Sequence, residues 1–231
     1  MPDDPLAAWL PILLQTNDAL FPTGAYAHSF GFEEYARVRG IRDEAGLRDF
    51  VEGSVLPALA HQELPYLRFA FAATGDLDGL GEIDREISAW KVARELREAS
   101  IQVGGRRLAA LRAVHDRPRY RELAAAIVEH RMAGHHLTVC ALQAREEGFP
   151  LSAALAAYLY QTAAGVCSAA LKLIRIGQDG CQRVLRAALE RAPSTLETSL
   201  TIERESAGWF DPLLEIAAMR HEFANERLFI S

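Results

Sequence analysis

The stretch GFPLSAALAAYLYQTAAGVCSAALKLIRIG, residues 148–177, decides the fold. From Gly148 to Leu171 it carries no charged residue. As a helix those positions would run about 36 Å, enough to cross a bilayer. Its apolar content is mostly alanine, however, and Ser152, Gln161, Thr162 and Ser168 interrupt it. Alanine gains little from lipid, whereas a helix apolar on every side with small residues suits the centre of a helical bundle. The segment is therefore read as a central helix from Leu151 to Ile176, buried on all sides by other helices and stopped at Gly177, with no membrane role.

Working outward, the residue choice stays helical. Ala, Leu, Glu and Arg dominate, and alternating β-branched runs are nearly absent. The first apolar stretch is Leu6 to Leu14. The turn Leu20 to Gly24 follows it, then a helix from Gly24 to Arg39 with Gly40 as its stop. Asp43 caps a helix reaching about His61, with Leu47, Phe50, Val51, Val55 and Leu59 on one face. Further helices are expected over Leu64–Thr74, Asp78–Trp90, Ala93–Val114, Pro118–His130, Ala133–Glu147 and Gln178–Arg191, the last ended by Ala192-Pro193-Ser194. Asp211-Pro212 is a helix start, with Asp as the cap and Pro at the first helical position. No repeat, charge block or linker divides the chain. The expectation is one all-α domain over residues 1–231, a bundle of about ten helices around the central one, with a C-terminal interaction tail.

Composition narrows the function. The 231 residues are 50% hydrophobic and 24% charged, with a net charge of −6, which disfavours nucleic-acid binding by bulk electrostatics. Three widely spaced cysteines without a C-x-x-C motif point to a reducing compartment. The opening Met1-Pro2-Asp3-Asp4-Pro5 lacks the positive charge of a signal peptide, so the chain reads as cytoplasmic. Lys91 and Lys172 are its two lysines, followed by Val92 and Leu173, so no P-loop Gly-Lys-Ser/Thr exists. The Gly104-Gly105 pair lies in a helical pattern and is no dinucleotide fingerprint.

Three regions are candidates for function. His130, His135 and His136 are the densest histidine group, and a helical metalloenzyme built on them is the alternative to a binding protein. Their spacings of five and six miss the i, i+4 geometry that puts two rings on one face. Cys140 and Cys167, in apolar surroundings, read as buried structural thiols. Tyr26, Ser29, Phe30 and Phe32 crowd a helix start after Phe21-Pro22-Thr23-Gly24, either as core or as an aromatic docking surface. On a helical wheel over Leu213–Arg227, Leu213, Ile216, Met219 and Phe223 form an apolar stripe that also contains Arg220 and Arg227. Arginine so placed needs a carboxylate or a partner protein.

These same segments resemble the urease accessory protein UreF family. The resemblance rests on Leu14-Gln15, Asp18 and Pro22 to Glu33 at the start, and on Glu95 to Ser100 with Gly104 and Arg106 in the middle. It continues through Leu173 to Gln178 and ends with Arg220-His221-Glu222 and Arg227 to Ser231. The four motifs occur in order over nearly the whole chain. The resemblance implies an all-helical, dimeric, non-catalytic protein acting between UreD (UreH in some species) and the GTPase UreG, in an assembly that delivers nickel to apo-urease. No resident cofactor is implied, and nickel would be handled only in transit. The family motifs carry over as partner-binding candidates Pro22, Thr23, Gly24, Tyr26, Ser29, Phe30, Arg97, Ser100, Gly177, Gln178, Arg220, His221 and Arg227. Arg227 is expected to meet the partner and Arg220 to serve an internal role. Some relatives carry a Cys-x-His metal pair, which is absent here, so no metal ligand is assigned. The small residues Ala157, Gly165 and Ala169 of the central helix are the expected homodimer contact, where Gly165→Leu would insert bulk.

Overall fold

A computed structural model describes residues 8–231; the acidic N-terminal residues and Leu6 lie outside the described residues. The helices are α1 (Trp9–Asn17), α2 (Phe32–Arg39), α3 (Glu44–Phe50), α4 (Leu56–Ala58), α5 (Leu64–Ala73), α6 (Leu77–Trp90) and α7 (Arg94–Val114). They continue as α8 (Pro118–Val128), α9 (His136–Glu146), α10 (Leu151–Leu173), α11 (Gln178–Glu190), α12 (Ala192–Thr201) and α13 (Pro212–His221). No strand is present among the described residues. The all-α expectation holds, with more helical segments than the ten foreseen.

Caps fall where the sequence places them. Asp43 accepts a hydrogen bond from the Gly46 N–H at 3.0 Å, and Asp211 accepts from the Leu213 and Leu214 N–H groups at 3.0 and 3.1 Å. Several boundaries differ from the reading: α10 ends at Leu173 and not Ile176, α9 starts at His136 and not Ala133, and three other segments depart more widely. Residues 44–73 run on as one helical rod, because π-turns at Val51–Val55 and Leu59–Glu63 precede Pro57 and Pro65. The wider turns accommodate the missing N–H and the ring of each proline without breaking the rod. Helix α11 ends at Glu190, as read, but Ala192-Pro193 also starts α12, where proline at the first turn costs nothing. Gly24–Arg39 is not one helix, since Phe30 (φ 53°) and Gly31 (φ 87°) both take left-handed conformations between a short 3₁₀ turn at Ala25–Ala27 and α2.

The main core gathers Leu47, Leu59, Leu64, Leu67, Leu80, Ile87, Leu111, Tyr120, Leu123, Leu137 and Leu155 from α3 through α10, each buried. Helix α10 crosses it but is not enclosed on every side, which corrects the expectation. Half of its most apolar window is buried, while Ser152, Tyr160, Gly165, Ser168 and Leu171 are exposed. By length and composition this helix could cross a membrane, but its inner face packs on α5, α11 and α12.

A buried carboxylate holds the centre. Asp84 of α6 is fully buried and accepts hydrogen bonds from the N–H groups of Ala133, Gly134 and His135 at 2.6–3.0 Å, and from Thr138 Oγ1 at 2.7 Å. It therefore caps the start of α9 from another helix. His135, also fully buried, bridges Ser88 of α6 (Nε2–Oγ 2.8 Å) and Ser100 of α7 (Nδ1–Oγ 3.0 Å). Gly104 lets α7 approach this loop, because a Cβ there would lie 2.1 Å from the Gly134 carbonyl oxygen.

Burial depresses the His135 pKa to about 4, against the pull of Asp84 toward the charged form and with Lys91 and Arg97 adding to the depression. A base depressed in the folded state is protonated first in the unfolded chain. His135 thus contributes full stability above about pH 6.5 and loses it as pH falls toward 4, by on the order of 3 kcal/mol. Urea melts between pH 7 and 4 should show this loss, and His135→Gln should flatten the slope through that window. An unchanged slope would contradict the assignment.

A candidate partner-docking site at the joined termini of three motifs

Three segments distant in sequence meet around His221. The side chain is 1% exposed, with Nδ1 2.8 Å from Glu95 Oε2 and Nε2 3.0 Å from Glu33 Oε2. Carboxylates only accept, so serving both takes an N–H on each ring nitrogen, which is the imidazolium form. Arg227 Nη1 donates to the other oxygen of Glu95 at 2.8 Å. The remaining capacity of Glu33 goes to backbone, with the N–H groups of Leu228 and Phe229 donating to it at 2.8 and 3.0 Å. Two carboxylates and two cations thus balance in a space where Glu33 and Glu95 are only 13% and 12% exposed. Arg94 adds an ion pair to Glu222 at the rim.

The chain end is tied down beside this cluster. The Ser231 carbonyl oxygen accepts from the N–H groups of Ser29 (2.5 Å) and Phe30 (3.1 Å) and from Ser29 Oγ (2.9 Å). Two consecutive backbone donors thus meet one acceptor, just before the chain turns through the left-handed pair Phe30-Gly31. Ser29 Oγ also accepts from the Glu33 N–H at 3.2 Å, so one hydroxyl caps α2 and holds the tail. The Ser231 hydroxyl is 2.9 Å from His28 Nδ1, and Ile230 N–H donates to Ala27 O at 2.9 Å. Burial, with Arg106 next, lowers the His28 pKa, so its ring stays neutral beside the tail. Phe229 is buried, with Lys172 of α10 lying 5.0 Å from its ring centre.

Helix α13 inverts the expected wheel. It ends at His221, so Arg227 lies beyond it in the tail and not on the stripe. Its small face, Ala217 and Ala218, is buried against α2, where Gly31 leaves room for Leu214 and Ala218. Leu213, Ile216, Met219 and Phe223 face outward, 47%, 53%, 40% and 80% exposed. Tyr26 (75%), Leu228 (69%), Ile230 (52%) and Phe30 (39%) are exposed on the adjoining segments. Such large apolar groups in the open are the usual mark of an interaction surface.

The candidate residues sort by burial. Ser29, Gly24, Ser100 and His221 are buried and hold the chain together from within. Arg97 is half-buried and donates to the Lys91 and Val92 carbonyls at the end of α6. Pro22, Tyr26, Phe30, Gly177, Gln178, Arg220 and Arg227 are exposed and Thr23 half-buried, with Gly177 and Gln178 at the start of α11. The two arginines exchange their expected places. Arg227 is the one with an internal carboxylate. Arg220 is 59% exposed and 3.6 Å from Glu34, whose two oxygens Arg37 already takes at 2.6 Å each. Sequence reasoning passed over Glu33, Glu95 and Ser231, although two carboxylates within motifs that also hold His221 and Arg227 were the signal.

The histidine group does not assemble. His130 is exposed after α8, His135 is spent on two serines, and His136 lies 5.6 Å, ring to ring, from Tyr158. Among the described residues no group of three or more His, Cys, Asp or Glu side chains is arranged to hold a metal ion, so the metalloenzyme alternative finds no site in this geometry. Cys167 is buried as expected, its pKa pushed up to about 12 by burial, while Cys140 is only partly so, with an enclosed thiol.

The family description UreF matches residues 41–189. The chain is 34% identical over 219 residues to the urease accessory protein UreF of Paenarthrobacter aurescens, covering 95% of this chain and 96% of that protein. It is 31% identical over 233 residues to that of Kocuria rhizophila (99% of each chain) and 32% identical over 224 residues to that of Haemophilus influenzae (96% and 95%). The chain belongs to the UreF family. Family members are urease accessory proteins and not enzymes, and this fold displays an apolar surface around the tail. The matched family region stops at residue 189, while the Kocuria rhizophila protein aligns over 99% of this chain, a span that takes in the segment around His221.

Removing the bridging ring would leave two buried carboxylates facing each other. His221→Ala should cost about 3–5 kcal/mol and lower the melting temperature by roughly 6–20 °C for a chain of this size. Arg227→Ala removes a rim pair and should cost no more than about 1 kcal/mol. Calorimetry that found the two variants equally stable would contradict this division.

Proposed function

We propose that this UreF-family protein is the scaffold that joins UreD/UreH to the GTPase UreG, so that nickel reaches apo-urease. The observation that carries the reading is the latch at His221. It spends buried polar groups on holding a tail and α13 in place, and thereby presents Tyr26, Phe30, Phe223, Leu228 and Ile230 to solvent. UreD/UreH is assigned to this apolar surface, with Arg220, whose neighbouring carboxylate is already taken, as its polar anchor. UreG supplies the nucleotide chemistry that this chain, without a P-loop, lacks. The chain carries no resident cofactor, nickel being cargo of the assembly, and it works in the cytoplasm.

We further propose a homodimer through the outward face of α10. Ala169 is buried in the protomer and Ala157 half-buried, but Gly165 is exposed, and a Cβ built there meets no atom within 4 Å. A glycine at mid-helix costs about 1 kcal/mol relative to alanine, which a close helix crossing would repay.

Two experiments test these assignments. Tyr26→Ser combined with Phe223→Ser should leave the melting temperature within a few degrees of wild type. It should weaken capture of purified UreD/UreH at least about 30-fold, as loss of a central aromatic anchor does, whereas Val128→Ser on α8 should not. Unchanged capture would refute the surface. Gly165→Leu should keep the protomer folded and shift sedimentation from dimer to monomer. A wild-type protein monomeric at all concentrations would refute the dimer.

A further inference from the structure

One buried cation has no counter-charge among the described residues. Arg107 of α7 is 2% exposed, and guanidinium stays protonated at any working pH. Its Nε donates to Gln143 Oε1 at 2.7 Å, Gln143 Nε2 donates to Thr16 Oγ1 at 2.8 Å, and Thr16 Oγ1 donates to the Ile12 carbonyl at 2.9 Å. That chain accounts for one of its five N–H groups. Its Nη1 is buried without a partner, and no carboxylate lies within salt-bridge distance among the described residues. The Phe21 ring, 5.8 Å from the guanidinium carbon, offers only partial compensation.

The guanidinium borders a cavity of about 20 Å³ between α1, α7, α9 and α10, lined also by Asn17, Cys140, Gln143, Tyr158 and Gln161. That is room for one water-sized atom. Three of the ionisable groups around it are neutral, and the Glu63 carboxylate beside Tyr158 pairs with Lys91 and not with Arg107. Burial keeps the Cys140 thiol and the Tyr158 phenol protonated, and it holds the His136 pKa at about 3, with Arg107 lowering it further. His136 Nε2 is a second enclosed nitrogen without a partner. His136, Cys140 and Gln143 sit at i, i+4 and i+7 of α9, so one helix face meets Arg107 with polar groups and no anion. A buried unpaired charge is strongly unfavourable, and no carboxylate among the described residues lies close enough to neutralise it.

We propose that this cavity binds a single halide-sized inorganic anion, chloride in the cell, held by Arg107 Nη1. The ion completes the charge balance where α1 packs on α7, α9 and α10, and so acts as a structural counter-ion independent of the docking surface.

The test uses the full-length protein. Melts are recorded as chloride replaces gluconate, too large for the cavity, at constant ionic strength, and crystals grown in bromide are examined by anomalous scattering. The melting temperature should rise by about 3–6 °C for each tenfold increase in chloride above its dissociation constant, with a bromide peak within hydrogen-bond distance of Nη1. Arg107→Met should melt independently of chloride. A water in the bromide crystals with halide-independent melts overturns the proposal, as does halide dependence that survives in Arg107→Met. If that variant fails to fold, the wild-type melts and bromide map decide alone.

Discussion

One imidazolium ring held between two carboxylates organises the functional end of this molecule. His221 cannot satisfy Glu33 of α2 and Glu95 of α7 unless both helices stand where they do, and α13 must end at that point to deliver it. Arg227 restores neutrality, and the carboxylate of Glu33 is left to grip the backbone of Leu228 and Phe229. The tail then reaches the paired N–H donors of Ser29 and Phe30. Each partner is saturated by the others, which is the condition under which buried charge is tolerable. With its inner face committed to small residues, α13 turns its large apolar side chains, together with Arg220, to solvent.

The centre of the bundle follows a related logic with opposite sign. Asp84 meets no cation among the described residues, but four donors surround it, three backbone N–H groups of the loop before α9 and one hydroxyl from the first turn of α9. The cost of burying that charge is offset by hydrogen bonds and by the start of α9. Gly104 makes the arrangement possible by letting α7 touch the loop. The molecule thus uses one carboxylate to place its core and two to place its surface, and the apolar packing fills in between.

Much of this was legible in the sequence. Helix starts at Asp43 and Asp211 are local events, decided by one side chain and the next three N–H groups, and they read correctly. The mid-chain prolines did not, because whether proline breaks, starts or merely widens a helix depends on the packing around it: Pro57 and Pro65 follow widened turns within one rod, and Pro193 starts a helix. The α13 wheel gave the correct stripe but the wrong face. Hydrophobic periodicity identifies two sides of a helix, and only tertiary contact decides which is buried. The exchange of Arg220 and Arg227 has the same origin, since a pairing of Arg227 with Glu95 spans the chain and leaves no trace in local spacing. The motif residues were found through family resemblance, yet their burial divides them into holders such as Ser29 and His221 and presenters such as Tyr26 and Phe30.

For a UreF-family protein this division separates the fold from its accessory role: the buried members of the motifs build a surface that the exposed members use. The account stands on the tail being held by the latch in the free protein. Amide hydrogen exchange of the wild-type chain and of Glu33→Gln measures that directly. The amides of Leu228, Phe229 and Ile230 should be protected in wild type and exchange freely in the variant, while those of α10 remain protected in both. Tail amides that exchange freely in the folded wild-type protein would contradict the account.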